Sequence, residues 1–155
     1  MSTKNSNFFS RDCMVQALIQ LLKTKSLSNI TITELTERAG VSRMTYYRNY
    51  HSLDEIFSSY LKDLVEYQEG QVVSKTLVQN DYVSMTIFSF DKGEEISTHA
   101  AGGDAMVTVL EGKGRFIVGD EVFYVEEGET LIMPKDIPHA VYGEERFKMQ
   151  LTVSF

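Results

Sequence analysis

Arg43, Met44, Tyr47 and Arg48 can all address a nucleic-acid duplex, and they share one short stretch, Ala39-Gly40-Val41-Ser42-Arg43-Met44-Thr45-Tyr46-Tyr47-Arg48-Asn49-Tyr50. A guanidinium can bond two acceptors of guanine in the major groove or hold phosphate. A phenol can donate to phosphate, and a methionine can touch a thymine methyl. On a helical wheel Arg43 lies one turn from Tyr47 and Met44 one turn from Arg48, while Val41, Tyr46 and Tyr50 fall on the inward side. Gly40 suits a sharp turn before this helix, and Ser42 suits its N-cap. A turn that feeds a short basic and aromatic helix is the pattern of a helix-turn-helix recognition element.

Other elements must hold that helix in place. From Arg11 to about Lys25, Met14, Ala17, Leu18, Leu21 and Leu22 recur at helical spacing, with Ser10 as N-cap. Thr31 or Thr33 can cap a second short helix whose inward side carries Leu35 and Ala39. Ser52-Leu53-Asp54-Glu55 reads as a capping box that opens a fourth helix. That helix is expected to bury Ile56, Tyr60, Leu61 and Leu64 and to run to about Glu69.

After Gly70 the hydrophobic period becomes two. Val83, Met85 and Ile87 alternate with polar residues, and Phe88 and Phe90 then flank Ser89. The apolar side thus changes face, as a bulge or a two-sided burial would require. Short runs at Met106–Glu111, Gly114–Val118, Val122–Val125, Thr130–Met133 and Phe147–Phe155, separated by Gly and Asp turns, predict an antiparallel sandwich or barrel. In the last run Phe147, Met149, Leu151 and Val153 share a face. The expected organisation is two domains, all-α with four helices over 1–70 and all-β over 71–155.

Charge divides along the same line. The net charge of −7 over 155 residues argues against a nucleic-acid partner until it is split. Residues 1–53 carry seven basic and three acidic groups, a net +4, whereas 54–155 carry eight basic and 19 acidic groups, a net −11. A basic head on an acidic body suggests that one end meets phosphate and the other does not. No apolar run approaches the roughly 20 residues needed to span a bilayer. Met1 to Ser10 lacks the apolar core of a signal peptide. The single cysteine, Cys13, cannot close an internal disulfide and reads as a small, partly buried helix residue in a reducing cytosol. The expected location is cytoplasmic, without a membrane partner. The chain has no Ser/His/Asp or Cys/His arrangement, no phosphate-binding glycine loop and no zinc-finger spacing, so no catalytic residue is assigned.

The pattern Thr33-x5-Ala39-Gly40-Val41-Ser42-x2-Thr45-x-Tyr47-x2-Tyr50, followed by the capped fourth helix, resembles the N-terminal domain of TetR-type repressors over about Phe9 to Glu69. The resemblance implies double-stranded operator DNA as partner. It puts Arg43, Met44, Thr45 and Arg48 against bases, Tyr47 and His51 against phosphate, and Thr33 at a contact position of the second helix, with Ser42 heading the third. One position departs: Leu53 stands where the family usually has a lysine that grips the backbone.

The β region, about Val72 to Phe155, resembles a small single-domain cupin. Its first motif lies on Gly93-x5-His99 through Leu110-Glu111-Gly112, its second on Gly128-x5-Pro134-x4-His139. Metal-binding cupins usually present three His and one Glu. Here Ala101 takes the second His position, Ala105 takes the Glu position with Asp104 beside it, and Gly143 replaces the Asn that often ends the second motif. A divalent metal is therefore expected to find only His99 and His139, with Asp104 as a third ligand if the Gly102-Gly103 loop folds inward. Otherwise the two histidines bond water or Tyr142. Met106, Met133 and Met149 either line a soft cavity for a small ligand or belong to the core.

Two functions compete. In the first, the chain is a DNA-binding transcriptional regulator whose cupin part senses a small-molecule effector or holds a homodimer. One helix-turn-helix makes too few contacts for tight specific binding, so a dimer on a roughly palindromic site is expected. In the second, the chain is a cupin metalloenzyme of the isomerase or oxygenase type, with the helices used for assembly.

Overall fold

Thr31, Ser42 and Ser52 each start a helix. Thr31 Oγ1 accepts the Glu34 amide at 3.2 Å while the Glu34 carboxylate accepts the Thr31 amide at 3.2 Å, a capping box that opens α2 (Ile32–Ala39). Gly40 ends α2 at φ 67°, a left-handed conformation that a Cβ would strain. Ser42 Oγ accepts the Thr45 amide at 3.1 Å and opens α3 (Arg43–Asn49). Ser52 Oγ accepts the Glu55 amide at 3.2 Å at the head of α4 (Leu53–Asp63). There the Glu55 carboxylate reaches one residue further back than a capping box requires and accepts the His51 amide at 2.8 Å.

These elements come from a computed structural model that describes residues 3–155, with side chains from Phe9 onward. Met1 and Ser2, the start of the stretch read above for a signal peptide, lie outside the described residues. Helix α1 (Thr3–Leu22) begins earlier than Ser10, which lies within it and not at its cap. Met14, Leu18 and Leu21 from α1 pack with Leu35, Tyr46, Tyr50 and Ile56 into one buried cluster, with Leu53, Ala39 and Val41 against its edge.

Helix α4 ends at Asp63, short of the expected Glu69; it buries Ile56 and Leu61, Val65 is buried just beyond it, and Tyr60 and Leu64 are only half-buried. The chain divides into two compact units between Tyr60 and Leu61, inside α4 and ahead of residue 70. The reason is that residues 62–70 are tied to strands. Lys148 Nζ donates to the Lys62 carbonyl at 2.7 Å, Ser89 Oγ to the Glu66 carbonyl at 2.9 Å, and the Gly70 amide to Asp91 Oδ2 at 2.7 Å.

The second unit holds nine strands: β1 (Val72–Gln79), β2 (Val83–Phe90), β3 (Glu95–His99), β4 (Asp104–Glu111), β5 (Lys113–Val118), β6 (Glu121–Glu126), β7 (Thr130–Met133), β8 (His139–Tyr142) and β9 (Phe147–Ser154). They form two antiparallel sheets, β1-β2-β9-β4-β7 and β3-β8-β5-β6, a β-sandwich. β1, β3 and β8 have no counterpart among the expected strands. Their stretches are short or polar, and pairing rather than alternation makes them strands. β2 pairs with β9 without a shift, so the change of face at Phe88 is two-sided burial: Ile87 and Ser89 are buried on one face and Phe90 on the other. Phe147 stacks on Phe90 at 4.5 Å and meets Phe116 edge-on at 6.2 Å. A Cβ on Gly114 would come within 2.7 Å of both the Phe116 and Phe147 rings, so only glycine fits.

Two predictions follow from this packing. The Tyr46 hydroxyl is fully buried without a hydrogen-bond partner among the described residues, and burial pushes its pKa up. Tyr46→Phe removes only an unsatisfied group, so urea unfolding of the variant is expected to show unchanged stability or a gain of up to about 1 kcal/mol; a loss of that size would mean the hydroxyl is bonded. Asp91 is held below the ordinary carboxylate range by the Gly70 amide and by Arg146. Folding therefore favours its charged form, and this contribution is complete above the usual aspartate range and lost as pH falls through the lowered value. Asp91→Asn is expected to lower the thermal midpoint at pH 7 and to flatten its decline on the acid side; equal losses at pH 7 and in strong acid would count against it.

Candidate functional site

The helical unit presents one face of α3 to solvent. Tyr46 and Tyr50 are buried on the inner side, and Arg11 Nε donates to the Tyr50 hydroxyl at 3.2 Å. The opposite side carries Met44, 75% exposed, and Tyr47, 60% exposed, with Arg43 and Arg48 beside them. A large apolar side chain so exposed contributes little to packing and is available to a partner.

The residues read as contacts fall into two groups here. Arg43 Nη2 donates to Thr33 Oγ1 at 2.6 Å, so α2 and α3 share a polar contact that orients the guanidinium. The Ser42 and Thr45 hydroxyls lie 3.0 Å apart and the Ser42 oxygen caps the helix, so both have structural work apart from any ligand. The His51 ring is 91% exposed and its Nδ1 lies 3.3 Å from a Glu55 carboxylate oxygen, so an anion there would compete with a resident carboxylate. The His51 amide is the main cause that holds Glu55 below its ordinary range. Leu53, the departure from the expected lysine, packs against the helical core. The Glu55 contact to His51 was not legible in the sequence, because the capping-box spacing points the carboxylate at Ser52.

The sandwich brings His99 and His139 together. Their Cα positions pair directly and their rings stand 4.5 Å apart at 64°. A bulge makes this possible. Ile96 pairs with Val141 and His99 with His139, so Ser97 and Thr98 together oppose the single residue Ala140. Without the extra residue Thr98 would face His139 and His99 would turn to the other face. His99 Nδ1 lies 2.9 Å from the Ser97 carbonyl, and His139 Nδ1 lies 2.9 Å from the Ile137 carbonyl. A carbonyl only accepts, so each Nδ1 carries the proton, and the neutral ring keeps its acceptor lone pair on Nε2. His99 is exposed and His139 buried, so the pair runs from the surface inward.

Asp104 does not join them, contrary to the expectation. On β4 the buried side chains are Ala105, Val107 and Val109; Asp104, with the opposite parity, is exposed, and its Oδ1 accepts the Lys135 amide at 2.9 Å. Among the described residues no group of three or more His, Cys, Asp or Glu stands ready for a metal ion. Two imidazoles with alanines at the other two ligand positions do not fit a divalent ion that needs three or four protein ligands. Of the two alternatives for the methionines, Met133 and Met149 take the core, while Met106 belongs to neither and is 41% exposed on the outer side. On the outer face of the second sheet Arg115 lies over the Tyr142 ring at 4.0 Å, in a cleft of about 130 Å³, well below the roughly 300 Å³ at which ligand pockets begin.

Residues 86–155 match the Cupin domain family. The fold resembles a conserved protein of unknown function from Streptococcus pyogenes, 45% identical over 61% of this chain and 82% of that one, with a TM-score of 0.59. It also resembles a cupin 2 conserved barrel domain protein from Leptotrichia buccalis, 49% identical with a TM-score of 0.60, covering 61% of this chain and 46% of that one. A cupin superfamily protein from Desulfitobacterium hafniense is 32% identical over 60% of this chain and 85% of that one, with a TM-score of 0.58. No curated protein matches the chain. No described helix is long and apolar enough to cross a membrane.

Elemental analysis of the purified protein is expected to find no stoichiometric Fe, Mn, Ni or Zn. A full equivalent of metal, lost in a variant with both His99→Ala and His139→Ala, would show that ligands beyond these two complete a site.

Proposed function

We propose, since this chain belongs to the cupin superfamily and carries a four-helix unit ahead of its sandwich, that it is a cytoplasmic DNA-binding transcriptional regulator. In this reading the helical unit is a TetR-type helix-turn-helix that reads operator DNA as one half of a homodimer. The cupin part binds a small-molecule effector, holds the dimer, or does both.

The observation that carries the reading is the outward face of α3. Met44 and Tyr47 are exposed beside Arg43 and Arg48 on a helix whose other side is anchored by buried Tyr46 and Tyr50. A helix used only for packing gains nothing from exposing a methionine and a tyrosine between two arginines. A major groove uses all four, the arginines on guanine or phosphate, the phenol on phosphate and the methionine on thymine. Thr33 sets the direction of Arg43, which lowers the entropy lost when that guanidinium meets a base. The net +4 of residues 1–53 favours a polyanion, and the net −11 of the remainder turns the rest of the chain away from it.

For the effector, the fixed tautomers of His99 and His139 offer two Nε2 acceptors. They suit a small ligand with hydroxyl or amide donors better than a metal ion. The metalloenzyme reading has less support, because the donor set stops at two imidazoles.

Selection of preferred sequences from a random DNA pool, followed by anisotropy titrations at several salt concentrations, tests the proposal. A roughly palindromic site is expected, with log affinity falling linearly with log salt. Arg43→Ala is expected to cost about 1–3 kcal/mol and to relax the preference at one base position. Tyr47→Phe is expected to weaken specific and non-specific binding alike. If the pool yields no preferred sequence and only non-specific binding at low salt, the reading fails.

A further inference from the structure

The chain carries its sulfur on seven methionines and one cysteine. Among the described side chains the two cores shelter most of it. Met14, Met133 and Met149 are at most 1% exposed, and Met85 and Cys13 are half-buried. Met106 is 41% exposed, on the sandwich. Met44 stands apart at 75% exposed, on the side of α3 opposite the buried rings of Tyr46 and Tyr50. It has no place in the helical core cluster.

Its surroundings are basic. Arg43 precedes it and Arg48 lies one helical turn further on, within a segment, residues 1–53, of net +4. A cationic surface gathers anionic oxidants and favours the negative charge that builds on the departing oxygen of a peroxide. In the DNA reading Met44 touches a thymine methyl, a contact that a leucine would make as well. What a thioether adds is a reversible oxidation.

We propose that Met44 is an oxidation switch on the DNA-reading face, with a hydroperoxide as the oxidant. It rests on the DNA reading for its output, and it adds a control that acts without the sandwich. The thioether sulfur attacks the terminal oxygen of the hydroperoxide with a lone pair. The O–O bond breaks as the S–O bond forms, the proton of the attacked oxygen passes to the departing one, and water or an alcohol leaves. Sulfur is oxidised by two electrons and the peroxide is reduced by the same two. The sulfoxide is polar and chiral where the thioether was apolar. Its oxygen only accepts hydrogen bonds, and a thymine methyl offers none, so the oxygen gives up water without a replacement. The fold does not register the change, because the side chain lies outside the packing of α3. Met133 and Met149, by contrast, meet an oxidant only if the sandwich core opens.

Peptide mass mapping of the full-length chain under stepwise hydrogen peroxide, with anisotropy titration of each stage on the selected DNA, tests the switch. Met44 is expected to gain an oxygen before Met14, Met85, Met106, Met133 and Met149, with the thermal midpoint unchanged. Affinity for the selected sequence is expected to fall roughly tenfold, as one unsatisfied acceptor in a contact implies. Treatment with the two stereospecific methionine sulfoxide reductases is expected to restore it. Peroxide is expected to leave the affinity of Met44→Leu where it started, whatever that starting value is. Cys13→Ala and Met106→Leu, which remove other accessible sulfurs, are expected to respond to peroxide as the wild type does. Oxidation that reaches Met106 first overturns the switch and leaves the DNA reading standing. The same holds for Met44 oxidised with affinity unaltered, and for a loss that persists in Met44→Leu. A wild type with no preferred DNA sequence sinks the DNA reading and the switch together.

Discussion

Strand β9 is hydrogen-bonded on both sides, to β2 and to β4, so each of its side chains has a choice of only two faces. Phe147 and Met149 take the interior, where Phe147 stacks on Phe90 and meets Phe116 from the opposite sheet. That aromatic contact joins the two layers, and it leaves no room for a side chain at Gly114. Parity then sends Lys148 outward. Its ammonium is nevertheless buried, and it is satisfied by the Lys62 carbonyl and by the Tyr67 ring at 4.9 Å. Lys62 and Tyr67 are therefore held to the sandwich by a strand whose main work is on the other face. Tyr67 joins the same contact: its hydroxyl bonds Glu111, and burial with that carboxylate pushes the phenol's pKa up.

The same parity decides the chemistry of the sandwich. On β4 it gives the interior to Ala105 and the exterior to Asp104, which removes the carboxylate expected as a third ligand beside the histidines. On β3 a single extra residue reverses parity and turns His99 toward His139. The result is a pair of imidazoles, each with its proton committed to a backbone carbonyl two residues earlier. Such a pair is fixed in tautomer and orientation, as metal-ligating histidines are, yet it lacks the further donors that a metal needs. What is left is a pair of imidazoles oriented by the backbone.

In the helical unit the corresponding constraint is the burial of Tyr46 and Tyr50. Anchoring both rings sets the rotation of α3 about its axis and turns Arg43, Met44, Tyr47 and Arg48 outward together. The cost is a Tyr46 hydroxyl without a partner among the described residues. Leu53 contributes to the same core, which accounts physically for an apolar residue where a phosphate-gripping lysine was expected.

Much of this was legible along the chain. Ser42 and Ser52 announced two helix starts, Thr31 or Thr33 a third, Gly40 an end, and the alternation from Phe147 to Val153 a buried face, because caps and periodicity are local and depend on residues within one turn or one strand. The two histidines stood out by their spacing to Gly93 and Pro134. The end of α4 was not legible, since Tyr60 and Leu64 continue the helical period while the hydrogen bonds that claim residues 62–70 come from Ser89, Asp91 and Lys148. Nor were β1, β3 and β8, nor the facing of His99 and His139, nor the outward turn of Asp104 and Met106. These depend on which residue lies across the ladder from which, and one bulge residue changes the answer. The sequence by itself determined the all-α and all-β halves, the helix caps and the split of charge; only the tertiary structure decided which side chains share a face, because register is set between strands that are far apart in the chain.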